Sequence, residues 1–226
     1  APDANAADLR TTGWELSTTW HGNIGRGWSY DINLALADNK AKITRYDNPT
    51  GSLNELYEGQ ILGEIWGYVT EGIFQYDEEV AAHADQANLG ANWRAGDIMY
   101  KDLNGDGKIN PGSNTLDDPG DRQIIGYSSP RYSFGINPDL SYKNWTLNVF
   151  FQGLFRDYLP VNGNWVAFYP FNAGHMENYY ITESWTEDNR DAYFAAPTIG
   201  TNTKKNIHPQ SRYVQNAAYI RLKNLS

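Results

Sequence analysis

Residues 28–37 read WSYDINLALA. Trp28, Tyr30, Ile32, Leu34 and Leu36 fall on one side of an extended chain, and Ser29, Asp31, Asn33, Ala35 and Ala37 on the other. A period of two is the mark of a β-strand with one apolar face. The run has about the nine to eleven residues that a tilted strand needs to cross a bilayer. Upstream, GWELSTTWHG (13–22) sets Trp14, Leu16, Thr18 and Trp20 against Glu15, Ser17 and Thr19, and NIGRG (23–27) supplies the turn residues between the two. Downstream, Tyr132, Phe134, Ile136, Leu140 and Tyr142 share a face if Pro138, which cannot donate to a ladder, lies at an edge or bulge. Lys143-Asn144 makes a tight turn, and Trp145, Leu147, Val149 and Phe151 return with Thr146, Asn148 and Gln152 opposite. Strands are therefore expected at about 13–21, 28–38, 131–142, 145–155 and 212–226, in an all-β fold.

The two tight turns lie at one end of these strands. At the other end are two long segments, about 41–130 and 157–211. Loops beyond about 12–15 residues are uncommon inside compact domains. Short turns on one side and long loops on the other suit an outer-membrane barrel; a secreted β-sandwich with two decorated loops suits the same pattern. Within the first loop, DEEVAAHADQA (77–87) predicts a short surface helix with Asp77 as N-cap and acidic residues in its first turn. GQILGEIWGYVTEGIF (59–74) spaces glycines through aromatics and predicts folded-back turns.

Composition narrows the function. Among 226 residues, 14% are aromatic, with sixteen Tyr, eight Trp and eight Phe beside twenty-one Gly, a blend of strand and turn formers. A net charge of −9 repels phosphate backbones, so nucleic acid is not an expected partner. Zero cysteines exclude disulfide scaffolds, zinc fingers and thiol catalysis. No apolar run reaches the roughly 18–20 residues of a membrane helix, and the mean hydropathy is −0.64. His21, His83, His175 and His208 are scattered, GxSxG and HExxH are absent, and acidic pairs such as Glu78-Glu79 and Glu187-Asp188 have no evident counterpart. The chain is not expected to be an enzyme.

DLNGDGKIN (102–110) carries the chemistry. Asp102, Asn104 and Asp106 occupy positions one, three and five of a calcium loop. Gly107 stands at the sharp turn, and Lys108 offers its carbonyl at position seven. A hard cation needs several oxygens converging over few residues, and this spacing delivers them. The twelfth position, where a bidentate Glu belongs, is Ser113, so Asp117, Asp118 or Asp121 must close a calcium site. The plainer reading is a series of Asx turns on a solvated loop. Trp66, Trp93, Trp165, Tyr169, Trp185 and Tyr193 also lie in the long loops, where they either stack on sugar faces or form the loops' own core.

At the ends, APDANAAD (1–8) has neither the positive nor the apolar stretch of a signal peptide, and RLKNLS (221–226) stops in mid-alternation, so a piece of a longer polypeptide is expected. Several stretches together, GEIWGYVTEGIFQ (63–75), GDIMYKDLNGDGKIN through DDPGDRQIIGYSSPRYSFGIN (96–137), FFQG (150–153) and RYVQNAAYIRLKNLS (212–226), resemble the C-terminal part of SusC/RagA-type TonB-dependent outer-membrane transporters of Bacteroidetes. The resemblance implies a partial segment of a 22-stranded transmembrane antiparallel β-barrel with two long extracellular loops. It implies a SusD/RagB-like surface lipoprotein as lid, energy from TonB through an N-terminal part, and import of an oligosaccharide or peptide across the outer membrane. It also carries Asp102, Asn104 and Asp106 over as metal ligands on the extracellular face. No plug is recognised in these residues, and about five strands fall far short of closing such a barrel. The runner-up from a different class is a secreted, calcium-stabilised β-sandwich that binds carbohydrate.

Overall fold

The alternating segments pair into one antiparallel sheet. The structure, a computed structural model, describes residues 7–159, 178–198 and 203–226. In chain order the elements are β1 (Ala7–Asn23), β2 (Trp28–Tyr46), β3 (Glu64–Tyr68), β4 (Thr70–Ile73), α1 (Asp77–Ala82), β5 (Ile98–Tyr100), β6 (Arg122–Tyr127), β7 (Arg131–Tyr142), β8 (Trp145–Phe155), β9 (Asp157–Tyr158), α2 (Tyr180–Glu183), β10 (Gln215–Asn216) and β11 (Tyr219–Leu225). The main sheet runs β1-β2-β7-β8-β11, and β3-β6, β4-β5 and β9-β10 form small two-stranded sheets. The architecture is all-β.

β1 and β2 outrun the period-two signal. They stay paired from Asn23↔Ser29 to Ala7↔Tyr46, through one register shift at Asp8/Leu9. The apolar alternation is already lost there because Lys40, Lys42 and Thr44 follow Leu36 on the same side. Pro138 lies in a central strand opposite Ile32, not at an edge or bulge. Its missing N–H falls where pairing to β8 lapses, between Ile136↔Phe151 and Asp139↔Asn148. The last strand starts at Tyr219 rather than near 212, because Ser211–Tyr213 winds into a 3₁₀ turn that buries Tyr213 completely. Asp77 sits one position inside α1; the N-cap is Tyr76, without a side-chain cap, and Asp77 instead accepts the Ala95 N–H at 2.8 Å.

Both tight turns sit at one end of the sheet, since Trp28 pairs with Tyr142 and Tyr142 with Trp145. The buried core is not under the sheet. Tyr68, Ile73, Ile98, Tyr100 and Ile109 from the first long connection pack with Tyr180, Phe194 and Tyr213 from the second. Among the described residues the apolar sheet face has no cover, with Leu16 52%, Trp20 56% and Leu222 53% exposed.

Candidate functional site

Register turns the alternation of single strands into two continuous faces. Leu16 pairs with Leu36, Leu36 with Phe134 and Phe134 with Gly153; Trp20 pairs with Ile32 and Ile32 with Pro138. The Phe134 ring lies over Gly153, where any Cβ would collide with it, so glycine lets ring and strand close up. Aromatic rows bound this apolar face. At the turn end Trp28 stacks on Tyr142 with centroids 4.4 Å apart, and Trp145 pairs beside them. At the loop end Tyr132 meets Phe155 edge to face.

The opposite face is polar and hydrogen-bonded across strands. Thr19 donates to Asn33 at 2.7 Å, the Asn148 amide donates to Asp139, and Asn224 donates to Asn148 at 2.9 Å. Where the sheet meets the loops, Arg131 clamps both Asp38 oxygens at 2.5 Å. The sequence held a signal for this pair that went unread. Continuing the period of two from Leu36 sets Asp38 on the apolar side, where a carboxylate demands a cation.

The aspartate loop is built from its own backbone donors. Asp102 accepts from Gly105 N–H at 2.7 Å and Gly107 N–H at 2.8 Å. Asn104 accepts from Asp106 N–H, and Asp106 from Lys108 N–H. Gly105 and Gly107 take φ of +76° and +79°, a left-handed conformation that suits glycine. The Gly107 N–H, then that of Gly105, hold the Asp102 carboxyl below its ordinary pKa. A parallel bridge between Lys108 and Asp85 pins the far side.

The other candidate ligands are engaged differently. Asp118 accepts the N–H and hydroxyl of Ser113, the twelfth position, and the Ser113 hydroxyl is the main reason its carboxyl lies low. Asp117 is exposed. Asp121 is fully buried and brackets the loop, taking Leu103 N–H on one oxygen and Asn110 N–H on the other. Among the described residues no three His, Asp or Glu side chains gather as a metal cluster. The loop itself offers two carboxylates and one amide, an all-oxygen set suited to a hard cation.

The loop aromatics serve mainly as packing. Trp185 is buried and donates to Gln75; Trp66 donates to Tyr57, Trp93 to the Gly90 carbonyl, and Tyr193 to the Arg212 carbonyl. Trp165 and Tyr169 lie outside the described residues. Burial pushes the Tyr68 phenol up to about 12, so it stays neutral. A buried ion pair that spacing alone gave no hint of joins the two long connections. Lys205 donates to Asp97 at 2.5 Å with both side chains almost fully buried. Asn206 donates to the other Asp97 oxygen and accepts the Ile98 N–H. Gln210 donates to the Tyr100 hydroxyl, which donates to the Lys205 carbonyl.

No protein-family model matches the chain. It is 26% identical over 241 residues to TonB-dependent receptor P3 of Formosa agariphila and 27% identical over 238 residues to TonB-dependent receptor P26 of the same organism, each alignment covering 98% of this chain and 22% of the relative. TonB-dependent receptor P39 is 25% identical, with 24% of its length covered. The chain thus spans under a quarter of the curated relatives it matches. The fold is similar to that in the structure of the RagAB peptide transporter, at a TM-score of 0.64 and 17% identity over 98% of this chain and 22% of that one. Three receptor relatives and one shared fold, each matched along nearly all of these residues, support a SusC/RagA-like TonB-dependent receptor fragment.

Proposed function

We propose that this chain is a section of the barrel wall, with its external loops, of an outer-membrane TonB-dependent nutrient importer. The observation that carries the reading is the register-aligned apolar face between two aromatic rows. Tyr142 and Tyr132 lie about ten residues apart on β7. At about 3.4 Å per residue and a barrel tilt of about 40°, that is about 26 Å of height, close to the roughly 25 Å apolar band of such barrels. A soluble β-sandwich would have to cover Leu16, Trp20 and Leu222, which stand exposed among the described residues. The polar face lines the interior of a barrel of 22 strands, most of them supplied by the rest of the receptor.

In this reading the long connections face the outside. There they meet a SusD/RagB-like lipoprotein and an oligosaccharide or peptide cargo, a choice that the likeness to a peptide transporter leaves open. Energy comes from TonB through the receptor's N-terminal part. Cargo is held non-covalently, and no bond is broken. Calcium stiffens the first loop through Asp102, Asn104, Asp106 and the Lys108 carbonyl, with water or a neighbouring acid such as Asp117 or Asp118 completing the shell.

The test is fractionation of the full-length receptor. Retention in the outer membrane after a carbonate wash, with heat-modifiable gel mobility, is the expected result; release into the soluble fraction overturns the reading. For calcium, the ion should raise the melting temperature of the wild type, and Asp102→Ala and Asp106→Ala should each abolish the rise. A wild type indifferent to calcium ends the metal proposal.

A further inference from the structure

Beyond the apolar band, the outward side of β1 and β2 turns basic. Arg10 pairs directly with Lys42, and Thr12 with Lys40. By the same alternation Arg10 and Thr12 continue the side of Trp14 and Leu16, and Lys42 and Lys40 that of Leu36. Like charges directly opposite each other on a sheet destabilise it. The cluster also stands in a chain of net charge −9. Among the described residues none of the three cations has an ion pair, while nearby acids are spoken for, Asp38 by Arg131 and Asp8 by Arg45. Arg10 and Lys42 line a recess of about 560 Å³ together with Thr12 and Thr44, and the one acid in its lining is Glu58. Lys40 stands at its margin, paired with the lining residue Thr12.

We propose that this recess binds the phosphorylated headgroup of an anionic membrane lipid. The proposal rests on the reading of the sheet as an outer-membrane barrel wall. Height supports it. Lys40 and Lys42 lie two and four residues past the Trp14–Asp38 pair, or about 5 and 10 Å at the rise and tilt used above. A leaflet's polar layer begins at the edge of the hydrocarbon and is about 5–8 Å thick, so Lys40 lies within it and the Arg10–Lys42 pair just above it, from where their long side chains reach back to a headgroup phosphate. A phosphate between Arg10 and Lys42 turns their repulsion into two charge-assisted hydrogen bonds. The acidity of the whole chain is no obstacle, because screening confines each charge to about 8 Å at physiological salt.

The experiment uses the full-length receptor in nanodiscs of phosphatidylcholine, with and without phosphatidic acid, and reads the temperature at which heat-modifiable mobility is lost. Phosphatidic acid should raise that temperature for the wild type, less so at high salt. The variant R10Q/K40Q/K42Q should lose most of the rise while melting no lower than wild type in phosphatidylcholine alone, and Lys101→Gln should keep it. An undiminished rise in the triple variant overturns the proposal, as does an equal rise from inorganic phosphate in pure phosphatidylcholine. A receptor that is washed from membranes by carbonate overturns the barrel reading and this proposal together. One that stays embedded but ignores phosphatidic acid overturns this proposal alone.

Discussion

Asp121 does with one carboxylate what the aspartate loop cannot do for itself: it fixes both ends. Asp121→Ala would strand the Leu103 and Asn110 N–H groups beside a new void. Each hydrogen bond to a charged group contributes about 1.5–3 kcal/mol, so a loss of about 3 kcal/mol of local stability is expected, seen as faster amide exchange across 103–110. Acid acts on the same segment. The Asp102 and Asp118 carboxyls are held low by backbone N–H groups and the Ser113 hydroxyl. A carboxylate with a depressed folded pKa adds stability above its unfolded value of about 3.9, and that stability is lost as pH falls through the lower folded value. The loop should therefore keep its amide protection down to about pH 4 and lose it progressively below, which exchange measured against pH will follow. The turns around Asp102, Asn104 and Asp106 were legible in the sequence because each rests on partners two to five residues away. Asp121 was legible only as a nearby acid, because its partners lie eighteen and eleven residues away.

For the strands, legibility followed the chemistry of one face. The stretch from Trp28 to Leu36 could be read because every second residue in it is apolar. The continuation to Tyr46 could not, because Lys40, Lys42 and Thr44 erase the period while backbone pairing goes on. Near the end of the chain, the residues around Tyr213 read as strand, yet Tyr213 is drawn into the loop core against Tyr193 and Phe194. The two faces of β2 make a sharp test. Leu34→Arg should cost roughly 2–4 kcal/mol of folding stability in vesicles if it lies mid-bilayer, and Asn33→Arg, one residue away on the polar face, far less. Denaturant titration of the refolded receptor distinguishes the two, and equal costs would contradict a lipid-facing side.

Across the whole molecule, the feature that sequence could least disclose is the joining of the two long connections. They read as separate decorations, and instead they share one core and one buried ion pair. Removing one partner of such a pair leaves an uncompensated buried charge, so Lys205→Met should destabilise the joined loops by about 3–5 kcal/mol. Adding Asp97→Asn to that variant should recover part of the loss. Protease protection of both loops is the readout, and unchanged protection in Lys205→Met would contradict the joint. A one-dimensional pattern reports which residues want burial, and it does not report which distant segment will bury them.

That joint also sets an order of events during synthesis. Asp97 emerges from the ribosome long before Lys205. Until then its carboxylate has no ammonium to meet and stays hydrated, because entering an apolar core alone is prohibitive. The first connection therefore cannot finish folding when its own residues are complete; it waits, open, for the second to arrive. A chain halted between β8 and Lys205 would hold β1, β2, β7 and β8 but lack β11 and the partner of Asp97, so neither the edge of the sheet nor the shared core could be completed.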